Sequence, residues 1–441
     1  MALTFKGGLH IPDFKLTAKL PVIDLPGDEL HYFPVTQHKG APLKALVKAG
    51  DHVRVGQKIA DAEEFVAAPV HSSVSGTVKD VCPHVNSIGI KTETIVVEND
   101  MKYETADNLR PVEDISALTT REMLWVIRDA GIIGLGGAGF PTHVKLNPPK
   151  QVEFLIINGA ECEPYITADH RRMLENPEEI IDGAGILSKL LGVKKCYIGI
   201  EANKRDAIDT LRREARFNSG IEIMKLKTKY PQGAEKQLIK AITGRNVPTG
   251  KIPADVGVVV INVDTVYNVW RAFRKGIPVI DRIVTVSGDA VNKPANFRVP
   301  LGVTVSYMID KAGGFKAPPQ KVIIGGPMMG FAQYTTDTPV SKTTSAVIAL
   351  LEAQATYDPD MPCIRCGKCV SNCPMGLMPN HLNKAALDRD IDAALRFNII
   401  DCIECGLCSY TCPAKKNMLQ SIAAFKPMAM KAARRGSVNG K

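Results

Sequence analysis

The sequence lacks long hydrophobic runs, an export signal and cysteines spread for disulfide bonds. No uninterrupted apolar stretch among its 441 residues is long enough to cross a bilayer. The first residues, Met1 to Gly8, contain no apolar core of a signal peptide, which favours a protein that is not exported. Eight of the 11 cysteines lie between residues 363 and 412, which argues against a disulfide framework. These absences together predict a cytoplasmic protein, which could still dock on a membrane.

The chain also lacks the signatures of nucleic-acid recognition. Lysine and arginine give a formal net charge of +9, but they are spread along the chain without a helix-turn-helix, zinc-finger or aromatic RNA-binding motif. We therefore expect no nucleic-acid partner. The positive charge fits steering toward an acidic redox protein or membrane partner, or an ordinary solvated surface. An apolar fraction of 45% is typical of a globular protein, and the length suggests roughly three domains, or one more if some are small.

The cysteines that are present form the strongest motif of the chain. Two segments repeat the spacing C-x2-C-x2-C-x3-C-P of bacterial ferredoxins, in which three close thiolates hold one [4Fe-4S] cluster and the fourth holds the other. The predicted ligands of the first cluster are Cys363, Cys366, Cys369 and Cys412, and those of the second are Cys402, Cys405, Cys408 and Cys373. Structural zinc is the alternative, but it needs only four thiolates and leaves the repeated third and fourth cysteines unexplained.

Residues 1–100 contain short alternating runs rich in valine, glycine and proline. The segments 47–59 and 68–78 are typical of short strands around tight turns. They resemble the barrel-sandwich hybrid fold of biotinyl and lipoyl carrier domains. Such carriers need a lysine between their two halves, and none occurs between Lys58 and Lys79, so the resemblance implies a structural or docking module.

Strands and helices alternate over residues 115–275, after a polar linker. Thr119 and Glu122 predict a capping box at the start of a helix that ends near Gly131. Short apolar strands are predicted at 152–157, 195–200, 221–226 and 257–261, with helices between them, which indicates a Rossmann-like α/β domain. The first and last strands end in polar loops, at the edge where open α/β sheets bind ligands.

A glycine-rich loop from Gly134 to Thr142 precedes the first of these strands. It contains the spacing G-x-G-x-x-G, and Glu161 follows about twenty residues on, as in dinucleotide-binding folds. However, a helix precedes the glycines and Pro141 follows them, so the context is not that of a Rossmann turn. A glycine-rich surface loop is the alternative for this segment taken alone.

These segments resemble the flavin subunit of respiratory complex I, a family that binds FMN and NADH. The residues that the resemblance places at the reaction centre are Phe140, Glu161 and Glu163. The cofactor-binding residues that it implies are Gly134, Gly136, Gly137, Gly139, Lys145, Asn158, Glu235, Asn262 and Thr265. Two positions depart from the family pattern, since Leu135 replaces an arginine and Ala160 replaces an aspartate.

The remaining segments resemble further respiratory modules. Residues 276–350 resemble the small β-grasp (SLBB) domain that follows the flavin domain in complex I, and residues 358–418 resemble a helical ferredoxin domain with two clusters. Residues 419–441 are predicted to form a helix and a basic tail that includes Arg434 and Arg435. We expect this helix to pack on the cluster domain, and an amphipathic membrane or partner helix is the alternative.

The domain order and the opening motif from Phe5 to His10 resemble the RnfC family, which belongs to the Rnf complex, an ion-translocating NAD–ferredoxin oxidoreductase. The resemblance implies a multidomain α/β and α+β protein with two [4Fe-4S] clusters and non-covalent FMN that exchanges electrons with NAD(H). It implies partners among the membrane and iron–sulfur subunits of the complex, through which ferredoxin is reached. It also implies a peripheral position on the cytoplasmic face of the cell membrane.

Two other functions stay open at this point. A soluble NADH-dependent flavin and iron–sulfur reductase, such as one that serves a cobalamin, would have a similar domain order. A non-catalytic electron-transfer adaptor would keep the clusters and lose the nucleotide site, and the departures at Leu135 and Ala160 leave that function open.

Overall fold

A computed structural model describes residues 2–355 and 361–439, with side chains as far as Arg434. The predicted start of the cluster domain at residue 358 and the last two residues of the predicted tail lie outside the described residues. The side chain of Arg435 also lies outside the described part.

Short strands build a barrel-sandwich domain in the first hundred residues, after a separate strand, β1 (Val22–Asp24). The strands of this domain are β2 (Leu30–Pro34), β3 (Lys44–Ala45), β4 (His52–Val53), β5 (Lys58–Asp61), β6 (Val70–His71), β7 (Gly76–Val85) and β8 (Lys91–Asn99). They form two sheets in the orders β2-β8-β7-β4 and β3-β5-β6, whose strand pairs are antiparallel. Successive side chains of a strand point to opposite faces of its sheet, so in β2 His31 and Phe33 are buried whereas Leu30 and Tyr32 are half-buried.

A parallel sheet with helices around it forms the α/β domain. Its elements are α1 (Thr120–Asp129), α2 (Thr142–Lys145), β9 (Phe154–Asn158), α3 (Ala168–Glu175), α4 (Pro177–Leu191), β10 (Lys195–Glu201), α5 (Arg205–Ala215), β11 (Ile221–Leu226), α6 (Glu235–Thr243), a 3-10 turn (Pro253–Val256), β12 (Val258–Asn262) and α7 (Val263–Lys275). The strand order is β11-β10-β9-β12, and every pair is parallel. The predicted strands are confirmed within about two residues, as is the capping box of Thr119 and Glu122 at α1.

A mixed sheet with two helices forms the β-grasp domain. Its elements are β13 (Asp281–Ser287), β14 (Ala295–Pro300), α8 (Val305–Lys311), β15 (Lys321–Ile324), β16 (Phe331–Gln333), β17 (Ala346–Leu350) and α9 (Glu352–Ala355). The sheet order is β1-β14-β13-β17-β15-β16, so β1 from the N-terminal segment completes its edge.

Several short helices and one long helix, α14, surround the cysteine runs. They are α10 (Lys368–Ser371), α11 (Pro379–Leu387), α12 (Ile391–Arg396), a 3-10 turn (Ile399–Asp401), α13 (Leu407–Tyr410) and α14 (Met418–Asn439). Met418, Ile422, Phe425 and Ala429 recur at helical spacing on one side of α14 and are buried in the core of this domain. The expectation that this helix packs on the cluster domain is therefore confirmed. Within residues 2–355 and 361–439, no helix combines the length and hydrophobicity that a membrane span requires.

Candidate functional site

The carboxyl ends of β9 and β12 bring two predicted site residues together. Asn158 and Asn262 are the last residues of adjacent parallel strands and lie opposite each other in register. The chain proceeds from β9 outward to β10 and β11 and then returns to β12 on the other side of β9. Such a reversal opens a crevice beyond the strand ends, where open α/β sheets bind their ligands.

The glycine loop lies over this crevice. Thr265 accepts a hydrogen bond from the backbone N–H of Leu135 (3.0 Å), which ties the loop to α7. A Cβ atom on Gly136 would come within 2.4 Å of Asn262 Nδ2, so only glycine allows this approach. Gly137 faces open space, because an added Cβ would meet nothing within 4 Å. The loop therefore presents bare backbone beside the Asn158–Asn262 pair, a cradle that fits a flavin phosphate or ring.

Two of the charged residues predicted for this site form an ion pair with each other. Lys145 Nζ lies 2.5 Å from Glu235 Oε1, and both side chains are partly exposed. Phe140 follows the glycines and is 38% exposed. Asn158 donates its amide to the carbonyl oxygen of Gly233 (2.8 Å), and this bond joins the crevice to the segment that leads into α6.

The acidic residues predicted at the reaction centre turn toward the protein interior, where Glu161 is buried and Glu163 is half-buried. Glu161 accepts hydrogen bonds from the backbone N–H groups of Asp169 (2.8 Å) and His170 (3.3 Å), so its carboxylate lies at the N-terminus of α3. Glu163 accepts a hydrogen bond from the backbone N–H of Met328 in the β-grasp domain (3.1 Å). Burial raises the pKa of Glu163 to about 7. In this conformation the two carboxylates hold elements together.

Asp169 is a site residue that sequence reasoning missed. It accepts a hydrogen bond from Asn262 Nδ2 (2.7 Å), directly behind the crevice. Burial first, and then the neighbouring carboxylates of Glu161 and Asp264, raise the pKa of Asp169 to about 7. No spacing in the sequence marks Asp169 as a site residue, because its partner Asn262 lies 93 positions away in the chain.

The positions that depart from the complex I pattern are both buried. Leu135 is 1% exposed and Ala160 is 9% exposed. Arg282 donates to the carbonyl oxygen of Leu135 (3.2 Å) from the β-grasp domain, so a cation does reach the loop, although from another part of the chain.

The predicted ligands of the second cluster line a single cavity. Cys373, Cys402, Cys405 and Cys408 surround it together with apolar side chains such as Leu382 and Ile422, and it holds about 420 Å³ of space without protein atoms, part of it open to solvent. We call it the inner cavity. Burial and the neighbouring thiols, Cys373 among them, raise the pKa of Cys405 and of Cys408 to about 12, so metal binding must displace these protons.

The predicted ligands of the first cluster lie closer to solvent. Cys363 and Cys366 are exposed, whereas Cys369 and Cys412 are partly buried. Burial first, and then the neighbouring Cys412, raise the pKa of Cys369. Within the described ranges, no three His, Cys, Asp or Glu side chains are grouped to hold a single metal ion.

The α/β domain, which is called the flavin domain below, directly contacts the residues around the inner cavity. Tyr230, which is buried, donates its hydroxyl to the carbonyl oxygen of Cys405 (2.8 Å). Gln237 on α6 donates to the carbonyl oxygen of Pro374, next to Cys373 (3.2 Å). Lys426 on α14 donates to the carbonyl oxygen of Cys402 (2.7 Å) and so holds the cavity from the other side.

Family models match the chain in the same order as its domains. The models are an RnfC barrel sandwich hybrid domain (residues 3–102), a Nuo51 FMN-binding domain (127–271), an SLBB domain (283–332) and a 4Fe-4S dicluster domain (362–417). The last of these favours iron–sulfur clusters over the zinc alternative.

Curated relatives match over nearly the whole chain, and each is the C component of an ion-translocating complex. The protein from the proton-translocating ferredoxin:NAD+ oxidoreductase complex of Clostridium ljungdahlii is 44% identical over 97% of this chain and 94% of its own. The Na+-translocating counterpart of Acetobacterium woodii is 43% identical over 98% and 99%, and that of the ion-translocating oxidoreductase complex of Rhodobacter capsulatus is 41% identical over 90% and 78%. The chain belongs to this RnfC family. The family expected from the sequence is thereby confirmed.

The solved structures that this RnfC-family chain matches show the fold alone. Two structures of an NAD+-reducing [NiFe]-hydrogenase, air-oxidised and H2-reduced, give TM-scores of 0.50 and 0.51 at 19% identity. The matched regions cover 71% and 73% of this chain. They cover 63% and 65% of the hydrogenase chains, just under two thirds. The predicted fold class, with its barrel-sandwich, flavin, β-grasp and ferredoxin modules, is confirmed by the family models and the described sheets.

Proposed function

We propose that this chain exchanges electrons between NAD(H) and the partner subunits of an ion-translocating ferredoxin:NAD+ oxidoreductase complex. One observation carries the proposal: a glycine-loop crevice at a parallel-sheet switch point and a cysteine-lined cavity are joined by direct contacts within one chain. Bound FMN would supply the linking chemistry, because a flavin accepts a hydride from NADH and passes electrons on singly. Relatives named as members of ferredoxin:NAD+ oxidoreductase complexes support this assignment.

The chain's own residues would hold the flavin at the crevice. The backbone of Gly136 and Gly137 would face the cofactor, and Asn158 and Asn262 would offer side-chain amides from paired strand ends. Thr265 would act indirectly by holding the loop through Leu135. Lys145 would supply a positive charge for the flavin phosphate, which would compete with Glu235 for the ammonium group.

The eight cysteines would hold two clusters with crossed ligands. The inner cavity supports the assignment of Cys373 to the second cluster, since that thiol lies with Cys402, Cys405 and Cys408 although it comes from the other run. The second cluster, in the inner cavity, is called the inner cluster, and contacts with the flavin domain make it the natural first acceptor of an electron from FMN. The first cluster is called the outer cluster, and the exposure of its ligands Cys363 and Cys366 makes it the natural exit.

The surface above the outer cluster would receive an acidic electron-transfer partner. Met361, Ile364 and Tyr410 are large side chains that are at least half exposed there. Four cations accompany them (Arg365, Lys368, Lys415 and Lys416), and the segments 361–375 and 407–419 contain no aspartate or glutamate. A hydrogen bond from the backbone N–H of Met361 to the carbonyl oxygen of Ala414 brings the two segments together (3.1 Å). An apolar centre with positive charges around it is complementary to a negatively charged protein.

A charge reversal tests this docking surface. The double variant Arg365→Glu with Lys368→Glu should lower retention of the chain on its partner subunits, and rising salt should reduce the difference from wild type. Reversal of the exposed Arg212 and Arg213 on α5 is the matched control and should leave retention unchanged. Equal retention of both double variants would rule out this surface.

We also propose a peripheral position on the cytoplasmic face of the membrane, with ferredoxin reached through the other subunits. Support comes from the named relatives, which belong to ion-translocating complexes. Fractionation of native cells tests it: the chain should sediment with membranes and be released by high salt. Recovery in the soluble fraction at low salt would favour the soluble reductase.

Anaerobic reduction by NADH tests the electron-transfer function itself. Protein reconstituted with FMN, iron and sulfide should lose flavin absorbance when NADH is added, followed by the cluster absorbance. A fully loaded sample that stays oxidised would favour the non-catalytic adaptor, the function that the replaced residues Leu135 and Ala160 left open.

A further inference from the structure

The opening motif from Phe5 to His10 lies against the flavin domain. The N-terminal segment first pairs with the edge of the parallel sheet, where Leu3 forms a parallel bridge to Leu226, the last residue of the edge strand β11. Lys229 then donates its ammonium group to the carbonyl oxygens of Phe5 (2.5 Å) and Gly7 (2.7 Å), and it lies 3.8 Å from the centre of the Phe5 ring. These contacts fix the start of the motif on the flavin domain.

The two glycines of the motif lie against the inner cluster's ligand loop. Gly7 has a φ of +80°, and a Cβ atom there would come within 2.6 Å of the carbonyl oxygen of Cys373. Gly8 has a φ of +74°, and its N–H donates to the carbonyl oxygen of Asn372 (3.0 Å). Both positions combine a left-handed backbone with a close approach, so each requires glycine.

The next residue returns the motif to the flavin domain. Leu9 exchanges two backbone hydrogen bonds with Tyr230 (3.0 and 2.8 Å), and the Tyr230 hydroxyl donates to the carbonyl oxygen of Cys405. Cys373 and Cys405 are therefore both tied to the flavin domain, one through the motif and one through Tyr230. Both thiols line the inner cavity.

We propose that residues 5–9, together with Tyr230, form a positioning strap that sets the separation between the flavin and the inner cluster. The inference rests on the proposed function, since it concerns the electron that leaves reduced flavin and reduces the oxidised inner cluster. Electron tunnelling slows exponentially with distance, so a fixed separation matters for its rate. Gly7, Gly8 and Tyr230 are positioning residues, because they contact ligand backbone and not the reacting groups.

The variant Gly7→Ala tests the strap, because its methyl group must push the Cys373 backbone away. Gly314→Ala is the matched control, since Gly314 has a similar φ of +76° and open space around the added Cβ. In hydrogen–deuterium exchange, Gly7→Ala should raise exchange at the amides of Gly8, Leu9 and Tyr230. The control should leave those amides as protected as in wild type.

Flash photoreduction of the flavin gives the second measurement and does not depend on nicotinamide. Electron transfer from flavin to the inner cluster should be severalfold slower in Gly7→Ala than in the Gly314→Ala control, because even a small increase in separation slows tunnelling. Iron content and flavin reduction by NADH should match the control. Tyr230→Phe, which keeps the ring and loses one hydrogen bond, should show a smaller slowing.

Two outcomes would overturn the strap. One is an unchanged transfer rate in Gly7→Ala with altered exchange at Gly8, and the other is loss of inner-cluster iron, which would show a role in retaining the cluster. Failure of the proposed function would give a different result. NADH would then not reduce the flavin of the wild-type protein, whereas photoreduction would still measure electron transfer from the flavin to the inner cluster.

Discussion

Cys373 is the residue that most sharply tests the crossed ligation. It belongs to the first cysteine run but lines the inner cavity with the ligands of the second. Cys373→Ser should therefore remove the electron paramagnetic resonance signal of the inner cluster and spare the outer one. Cys412→Ser is the control, and it should remove the signal of the outer cluster and spare the inner one. Selective loss of the outer cluster in Cys373→Ser would contradict crossed ligation.

Asp169 gives a prediction of pH dependence at the same scale. Its pKa is raised by burial from the ordinary 3.8 to about 7, so the folded protein binds more protons than the unfolded chain between these values. The stability linked to this proton is fully present below the unfolded pKa and is lost as the pH rises through about 7.

The isosteric variant Asp169→Asn should flatten this dependence. The free energy of unfolding can be measured with denaturant at about pH 5 and about pH 8. From the lower to the higher pH, the wild type should lose about 1 kcal/mol or more of stability relative to the variant, since one pKa unit corresponds to about 1.4 kcal/mol. Glu163 has a pKa raised in the same direction and stays in both proteins, so part of the slope remains. A slope as steep in Asp169→Asn as in wild type would refute the assignment to Asp169.

Single-residue roles were the part that the sequence predicted least. The cysteine spacing indicated ligand sets without any structure, because the motif itself encodes which thiolates are close. The hydrogen bonds of Glu161 at the N-terminus of α3 and of Glu163 with Met328 join separate segments. Local patterns carry no information about such contacts, and a side chain's direction in a loop follows no periodicity.

The glycine loop is the element on which flavin binding depends. Gly137 faces open space beside the Asn158–Asn262 pair, so an added methyl group should leave the fold intact and intrude on the cofactor. Gly137→Ala should lower FMN affinity by roughly tenfold, about 1.4 kcal/mol, as measured by fluorescence titration of the flavin.

Gly185 in α4 provides the control for the glycine loop. An added Cβ there also meets nothing within 4 Å. Gly185→Ala should bind FMN as wild type does and gain up to about 1 kcal/mol in stability from helix propensity. Equal FMN affinity of both variants would mean that the flavin does not lie over Gly137.

Elements with strong periodic patterns were predicted well. The capping box of Thr119 and Glu122 and the strand Ile221–Leu226 have the expected bounds, because side-chain spacing and local hydrogen bonds decide them. The register that sets Asn262 opposite Asn158 could only be observed, since a sequence gives strand ends without pairing partners.

The N-terminal segment shows what the whole molecule adds to its domains. Residues 3–24 contact the flavin sheet, the inner cavity and the β-grasp sheet in turn, before the chain enters the barrel sandwich. The sequence suggested only a family motif there, because an extended strap with two glycines shows neither helical nor strand periodicity. Its path is determined by partners that lie hundreds of positions away, such as Asn372.

Rapid-freeze electron paramagnetic resonance after mixing the holoprotein with NADH measures the order in which the flavin and the two clusters are reduced. The Cys373→Ser and Cys412→Ser variants assign the two cluster signals. We expect flavin reduction to come first, the inner-cluster signal to follow and the outer-cluster signal to rise last. An outer cluster reduced before the inner one, or clusters reduced while the flavin stays oxidised, would contradict this order.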